Sequence, residues 1–113
     1  MHFESTPFEE LRHLPVRLLA TEEPWQTRLA MDAPGAGRVD VCWDSVAASA
    51  SVVWMQDDDP MVALHRDLVN AVWVSSEGGE VRVTIESAGH EWKSRLGLVV
   101  GARVRIDDSL WQG

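Results

Sequence analysis

The run Asp57, Asp58, Asp59 is where chemistry would first be sought in this chain. Adjacent carboxylates can hold a hard cation, share protons in acid–base work, or start a helix. A calcium loop needs acids at alternate positions, a glycine, and a closing glutamate about twelve residues from the first ligand. Here the acids are consecutive, and Pro60 and an apolar stretch follow. Asp59-Pro60 has the form of a capping side chain and then proline at the first helical position. Met61, Leu64, Leu68 and Val72 recur at helical spacing, so a helix is expected over about 60–70. The positive end of its dipole would favour the three aspartates where they stand. Glu22-Glu23 and Asp107-Asp108 are also adjacent. On strands such neighbours point to opposite faces and make no acid–base pair.

Nucleophile and metal chemistry fare no better. Cys42, His65 and His90 lie far apart, without the close ligand pairs that zinc requires. Cys42 falls on the polar side of an alternating segment between Asp40 and Asp44, where carboxylates disfavour the thiolate. "PGAGRV" lacks the strand-to-helix setting and third glycine of a dinucleotide site, and no phosphate loop or nucleophile elbow is present. The expectation is no catalytic residue, no metal and no cofactor.

What remains is charge and aromatic content. Net charge is −8, and it is unevenly placed: residues 1–79 carry 13 acids against 5 bases, and residues 80–113 carry 5 of each. Such a surface repels phosphate backbones, which argues against nucleic acid. It attracts a basic protein and speeds the encounter. Asp40, Asp44, Asp57 and Asp58 are therefore candidate partner-binding residues. Trp111, two residues from the chain end, is a candidate apolar anchor. Outward positions late in the chain (Arg82, Lys93, Arg95, Arg103, Arg105) would form a cationic stripe if their strands are neighbours.

The elements that must position these residues are short. At 113 residues the chain is expected to be one domain, 1–113, burying roughly 65% of its unfolded surface. No stretch is long and apolar enough for a membrane span, and the acidic N-terminus is unlike a signal or transit peptide. "STPFEELRHLP" predicts a helix over about 7–13, with Thr6 and Glu9 as a capping box and Phe8 and Leu11 on one face. "RVDVCWD" alternates, with Val39, Val41 and Trp43 inward. "AVWVSSEGGEVRVTIES" reads as a β-hairpin turning at its glycines. "LVVGARVRIDD" reads as one long strand bulged at Gly101. Trp54, Trp73, Trp92 and Trp111 fall 19 residues apart, yet their neighbours share nothing, so no repeat is inferred. The sum is an α+β fold, a mostly antiparallel sheet of six or seven strands with two short helices.

A lone cysteine suits a reducing cytoplasm, and nine arginines against one lysine suit a GC-rich bacterial genome. The function expected is that of a small acidic cytoplasmic binding or inhibitor protein, such as an immunity protein that neutralises a bacterial toxin. A homodimeric chaperone or assembly adaptor comes second, and an enzyme without a recognisable motif third.

Overall fold

A computed structural model describes residues 3–112, and side chains over 3–110. Its described residues form ten strands and one four-residue helix. In chain order these are β1 (Glu4–Ser5), α1 (Phe8–Leu11), β2 (Arg17–Leu19), β3 (Gln26–Ala33), β4 (Gly37–Asp44), β5 (Ser49–Gln56), β6 (Asp59–Arg66), β7 (Val69–Glu77), β8 (Glu80–Gly89), β9 (Trp92–Val100) and β10 (Val104–Gln112). They make two five-stranded sheets, ordered β2-β3-β4-β5-β6 and β1-β7-β8-β9-β10. All pairings are antiparallel except β1 with β7. The expected α+β fold with six or seven strands is therefore wrong; the chain is nearly all β.

Alternation explains the layers. Val39, Val41 and Trp43 of β4 and Ala50 and Val52 of β5 are buried, as are Val81, Val83 and Ile85 of β8 and Leu96, Leu98 and Val100 of β9. These belong to one apolar cluster fed by both sheets, so the inner faces pack on each other as a β-sandwich. The sandwich is tied at both sides. Between β1 and β2, α1 drops Leu11 into the core. Between the long edge strands β6 and β10, Arg66 pairs with Asp108.

Two helix expectations fail for identifiable reasons. The helix expected over 60–70 is β6, the corner at Asp67-Leu68, and the start of β7. Its helical spacing is an accident of an edge strand. Val62, Leu64 and Arg66 are half-buried, while Met61, Ala63 and His65 on the other face are exposed yet largely apolar in type. A register shift beside Met55, opposite Pro60 and Val62, adds a residue and blurs the alternation. Pro60 is tolerated because β6 pairs on one side only. The helix expected over 7–13 shrinks to Phe8–Leu11, with Phe8 exposed rather than sharing Leu11's buried face. Thr6 does not cap it. Its buried hydroxyl accepts from the Val74 amide at 2.7 Å and donates to the Val74 carbonyl at 3.3 Å, extending the β1–β7 pairing. The long strand expected through Gly101 is two, β9 and β10, joined by a turn at 101–103, and Ala102 is exposed.

One glycine is dictated by contact. Gly37 sits at φ 102°, and a Cβ there would lie 2.0 Å from the Met55 carbonyl oxygen. Gly35, two residues earlier, is also left-handed (φ 82°) but faces open space. Gly37→Ala should therefore cost roughly 3 kcal/mol or more, from strain and overpacking together, whereas Gly35→Ala should cost only about 1 kcal/mol of backbone strain. Urea unfolding of the two variants checks this; equal losses would mean that the close approach to Met55 is not a constraint.

Candidate partner-binding surface

Asp57 and Asp58 are the two central residues of the β5–β6 hairpin. Their φ values are 53° and 65°, and Gln56 pairs with Asp59 across the turn. Two consecutive left-handed residues define a type I′ turn, whose twist matches that of the strands. Asp59 is thus a strand residue and not a helix cap. The turn holds both carboxylates out in solvent.

This hairpin is fastened to its neighbour. The Trp54 indole N–H donates to the Ala36 carbonyl at 2.6 Å, and Gly37 lets β4 run hard against Met55. The β3–β4 and β5–β6 turns consequently stand side by side. A groove of about 440 Å³ between them is lined by Asp32, Ala33, Pro34, Gly35, Gly37, Gln56 and Asp57, and Arg38 and Asp58 border its continuation. Asp32 is the acid that sequence reasoning missed. It lies immediately before the "APGAG" turn, and only the pairing of that turn with "QDDD" brings it to Asp57. Its carboxylate also accepts from Arg17 at 3.0 Å.

The other acids singled out from sequence lie elsewhere. Asp40 is at mid-strand on the outer face of the first sheet, its side chain 13% exposed. Arg38 holds it with two hydrogen bonds of 2.8 and 3.0 Å, and Arg28 stands at 3.7 Å. Asp40 in turn raises the affinity of the Arg38 guanidinium for its proton. Flanked by two arginines, Asp40 offers little net field to a partner. Asp44 ends β4 at the opposite end of the strand from Gly37. It accepts from the backbone amides of Ala47 (2.7 Å) and Val46 (2.9 Å) and from Gln26 (3.3 Å), which organises the β4–β5 turn. Of the four aspartates only Asp57 and Asp58 stand together. For Trp111, backbone pairing with Lys93 is described; its side chain lies outside the described residues.

The late bases do share a face, but not as a cationic stripe: Glu86 and Asp107 stand among them, and Arg82 lies 3.9 Å from Glu80. Strands β8, β9 and β10 are neighbours. Arg82 and Arg105 flank Val99 across one row, and Arg95 faces Glu86 at 3.7 Å. Arg103 lies in the β9–β10 turn. Trp73, 40% exposed, lies on β7 opposite Thr84.

Two arrangements bring together residue types used in catalysis. Ser51 Oγ lies 3.0 Å from His65 Nδ1, and His65 Nε2 lies 3.0 Å from Asp67 Oδ1, which is the residue order of a nucleophile triad with the two ring nitrogens exchanged. His65 is on β6, not on the helix expected from sequence. Ser51 sits in the middle of β5, whose backbone is paired to β4 on one side and β6 on the other. Backbone amides engaged in ladders are not available to hold an oxyanion. Cys42 is half-buried, and burial pushes its thiol up, Asp44 adding to the shift and Arg28 opposing it. Burial, more than the flanking carboxylates, makes it a poor nucleophile. Among the described residues no group of three or more His, Cys, Asp or Glu side chains is placed to hold a metal ion. No helix among them is long and apolar enough to cross a membrane.

Comparison with known proteins gives one structural likeness. The chain resembles a chain of the contact-dependent growth inhibition toxin–immunity protein complex from Klebsiella pneumoniae 342. The TM-score is 0.78 with 11% sequence identity, and the match covers 97% of each chain. The two share a fold over that span. No family model matches the sequence, and neither does any curated protein.

Asp44 yields a pH test. The Ala47 amide, with help from Gln26 and Val46, holds its carboxyl below the usual carboxylate range, against the opposing effect of desolvation. A depressed folded-state value means stabilisation that is complete above the unfolded pKa of about 3.9 and is lost as pH falls through the folded value. The gap in Tm between the wild type and Asp44→Ala should thus be constant near neutrality and close below about pH 4. A gap unchanged down to pH 2 would remove Asp44 from the turn's support.

Proposed function

We propose that this chain is an immunity protein, which binds a basic growth-inhibition toxin in the cytoplasm and blocks it by occupancy rather than by chemistry. The observation that carries this reading is the full-length likeness to a chain of a toxin–immunity complex. That complex has two sides, and charge favours the immunity side: all of the net charge of −8 lies within residues 1–79. A fixed acidic end on a rigid sandwich is what a fast-associating inhibitor of a cationic protein requires. The direct test is protection. Cells that produce the chain together with a growth-inhibition toxin domain from the same genome should grow, and cells that produce the toxin alone should not. Equal killing with and without the chain would overturn the reading, as would growth arrest by the chain alone.

The Asp57-Asp58 turn carries a more specific expectation. Left-handed residues favour glycine or asparagine, and an L-residue with a Cβ costs roughly 1–2 kcal/mol there. Asp57→Asn with Asp58→Gly should therefore raise stability by about 1 kcal/mol, since the strain and the like-charge contact both go. The same double variant should slow toxin association by roughly tenfold at low salt, an effect that fades once salt screens beyond about 10 Å. Gained stability with an unchanged association rate would take these aspartates out of the binding surface.

A further inference from the structure

The acidic groove does not end at Asp32. Asp32 and Pro34 also line a second depression of 260 Å³, set between the two sheets at the same end of the sandwich. Its remaining walls are apolar: Pro15, Met31, Val81, Val100 and Ala102. Met31, Val81 and Val100 are core residues forming its floor, and Pro15, Pro34 and Ala102 are exposed at its rim. Glycines at the β7–β8 and β9–β10 turns, Gly79 and Gly101, keep the mouth low.

We propose that this apolar notch is the anchor site for a loop of the basic partner, which seats one aliphatic side chain between Pro15 and Pro34 and lays its cationic neighbours over Asp32, Asp57 and Asp58. The partner's identity as a toxin rests on the immunity reading; the notch and its chemistry do not. Charge complementarity selects the occupant. The notch shares Asp32 and Pro34 with the groove, where three aspartates (Asp32, Asp57, Asp58) stand against Arg38 and the Arg17 paired to Asp32; three acids against two bases leave it net acidic, which favours an apolar side chain carried by a cationic chain. A second copy of this chain, with its own excess of acids, would be repelled there. The division of labour is the usual one at interfaces: charge at the rim sets the encounter, and a buried anchor sets the lifetime. The frame is preorganised, because Trp54 and Gly37 fix the turns on one side and β-hairpin pairing fixes them on the other.

The test uses the full chain and two disulfide-cyclised peptides of equal charge, one with Lys-Leu-Arg in its turn and one with Lys-Ser-Arg. With the leucine peptide, amide shifts are expected at 32–37, 55–58, 79–81 and 100–102. The serine peptide should bind at least about tenfold more weakly, as the loss of one buried leucine requires. Ala102→Glu separates the notch from simple attraction. It adds an acid while crowding the rim, so the proposal expects weaker leucine-peptide binding, and a purely electrostatic surface would bind more tightly. Equal affinity for the two peptides, shifts elsewhere, no shifts at millimolar peptide, or tighter binding by Ala102→Glu would each overturn the notch. The toxin experiment is read separately. Peptide in the notch without protection from toxin defeats the immunity reading and leaves the site; protection together with peptide binding elsewhere defeats the site and leaves the reading.

Discussion

Neither sheet can exist alone, and that dependence governs everything else in the molecule. Each has one apolar face, and each face is covered chiefly by the other, with Leu11 of α1 closing one side. Burial of Val39, Val41 and Val52 against a second layer built on Val83, Ile85, Leu96 and Leu98 is the dominant favourable term, because apolar area removed from water outweighs any polar contact named above. The polar ties act at the margins, where the layers would otherwise part. Thr6 holds the N-terminal strand, Arg66 and Asp108 join the long edges, and Trp54 pins the β3–β4 turn. The acidic end is a by-product of this closure. Sheets that must stay face to face present their turns as a fixed set, and acids placed on those turns inherit the rigidity.

The parts of the fold legible in sequence were those whose local signal and tertiary role agree. Strand β4 alternates because one face is in the core and the other in water, and the β7–β8 hairpin turns on Gly78 and Gly79, both left-handed. Legibility failed where local signals were borrowed. Asp59-Pro60 imitates a helix start, yet proline is as comfortable on an edge strand as in a first helical turn. A type I′ turn made of Asp57 and Asp58 lacks the glycine that would have announced it. Thr6 looked like a cap because its partner, Val74, is 68 residues away. No window of sequence contains both.

The candidate surface was half legible for the same reason. Acidity and its placement early in the chain follow from composition, and they survive in the structure as the pair Asp57 and Asp58. Grouping was out of reach. Asp40 and Asp44 looked like companions of that pair, but one is held by arginines and the other by backbone amides. Asp32 belongs with the pair through the contact of two turns. Charge is a one-dimensional fact, and a surface needs the register.

The parallel pairing of β1 with β7 has a consequence for synthesis. Every other neighbouring strand pair is consecutive in the chain and joined by a short connection, so each can close soon after it leaves the ribosome. Strand β1 emerges first and must wait for β7, while the valine face of the first sheet stays uncovered until the second follows. The nascent chain is thus most exposed to misassembly midway through translation, after β6 and before β8. Residues 4 and 5 find their partners only when 71 and 72 have been made.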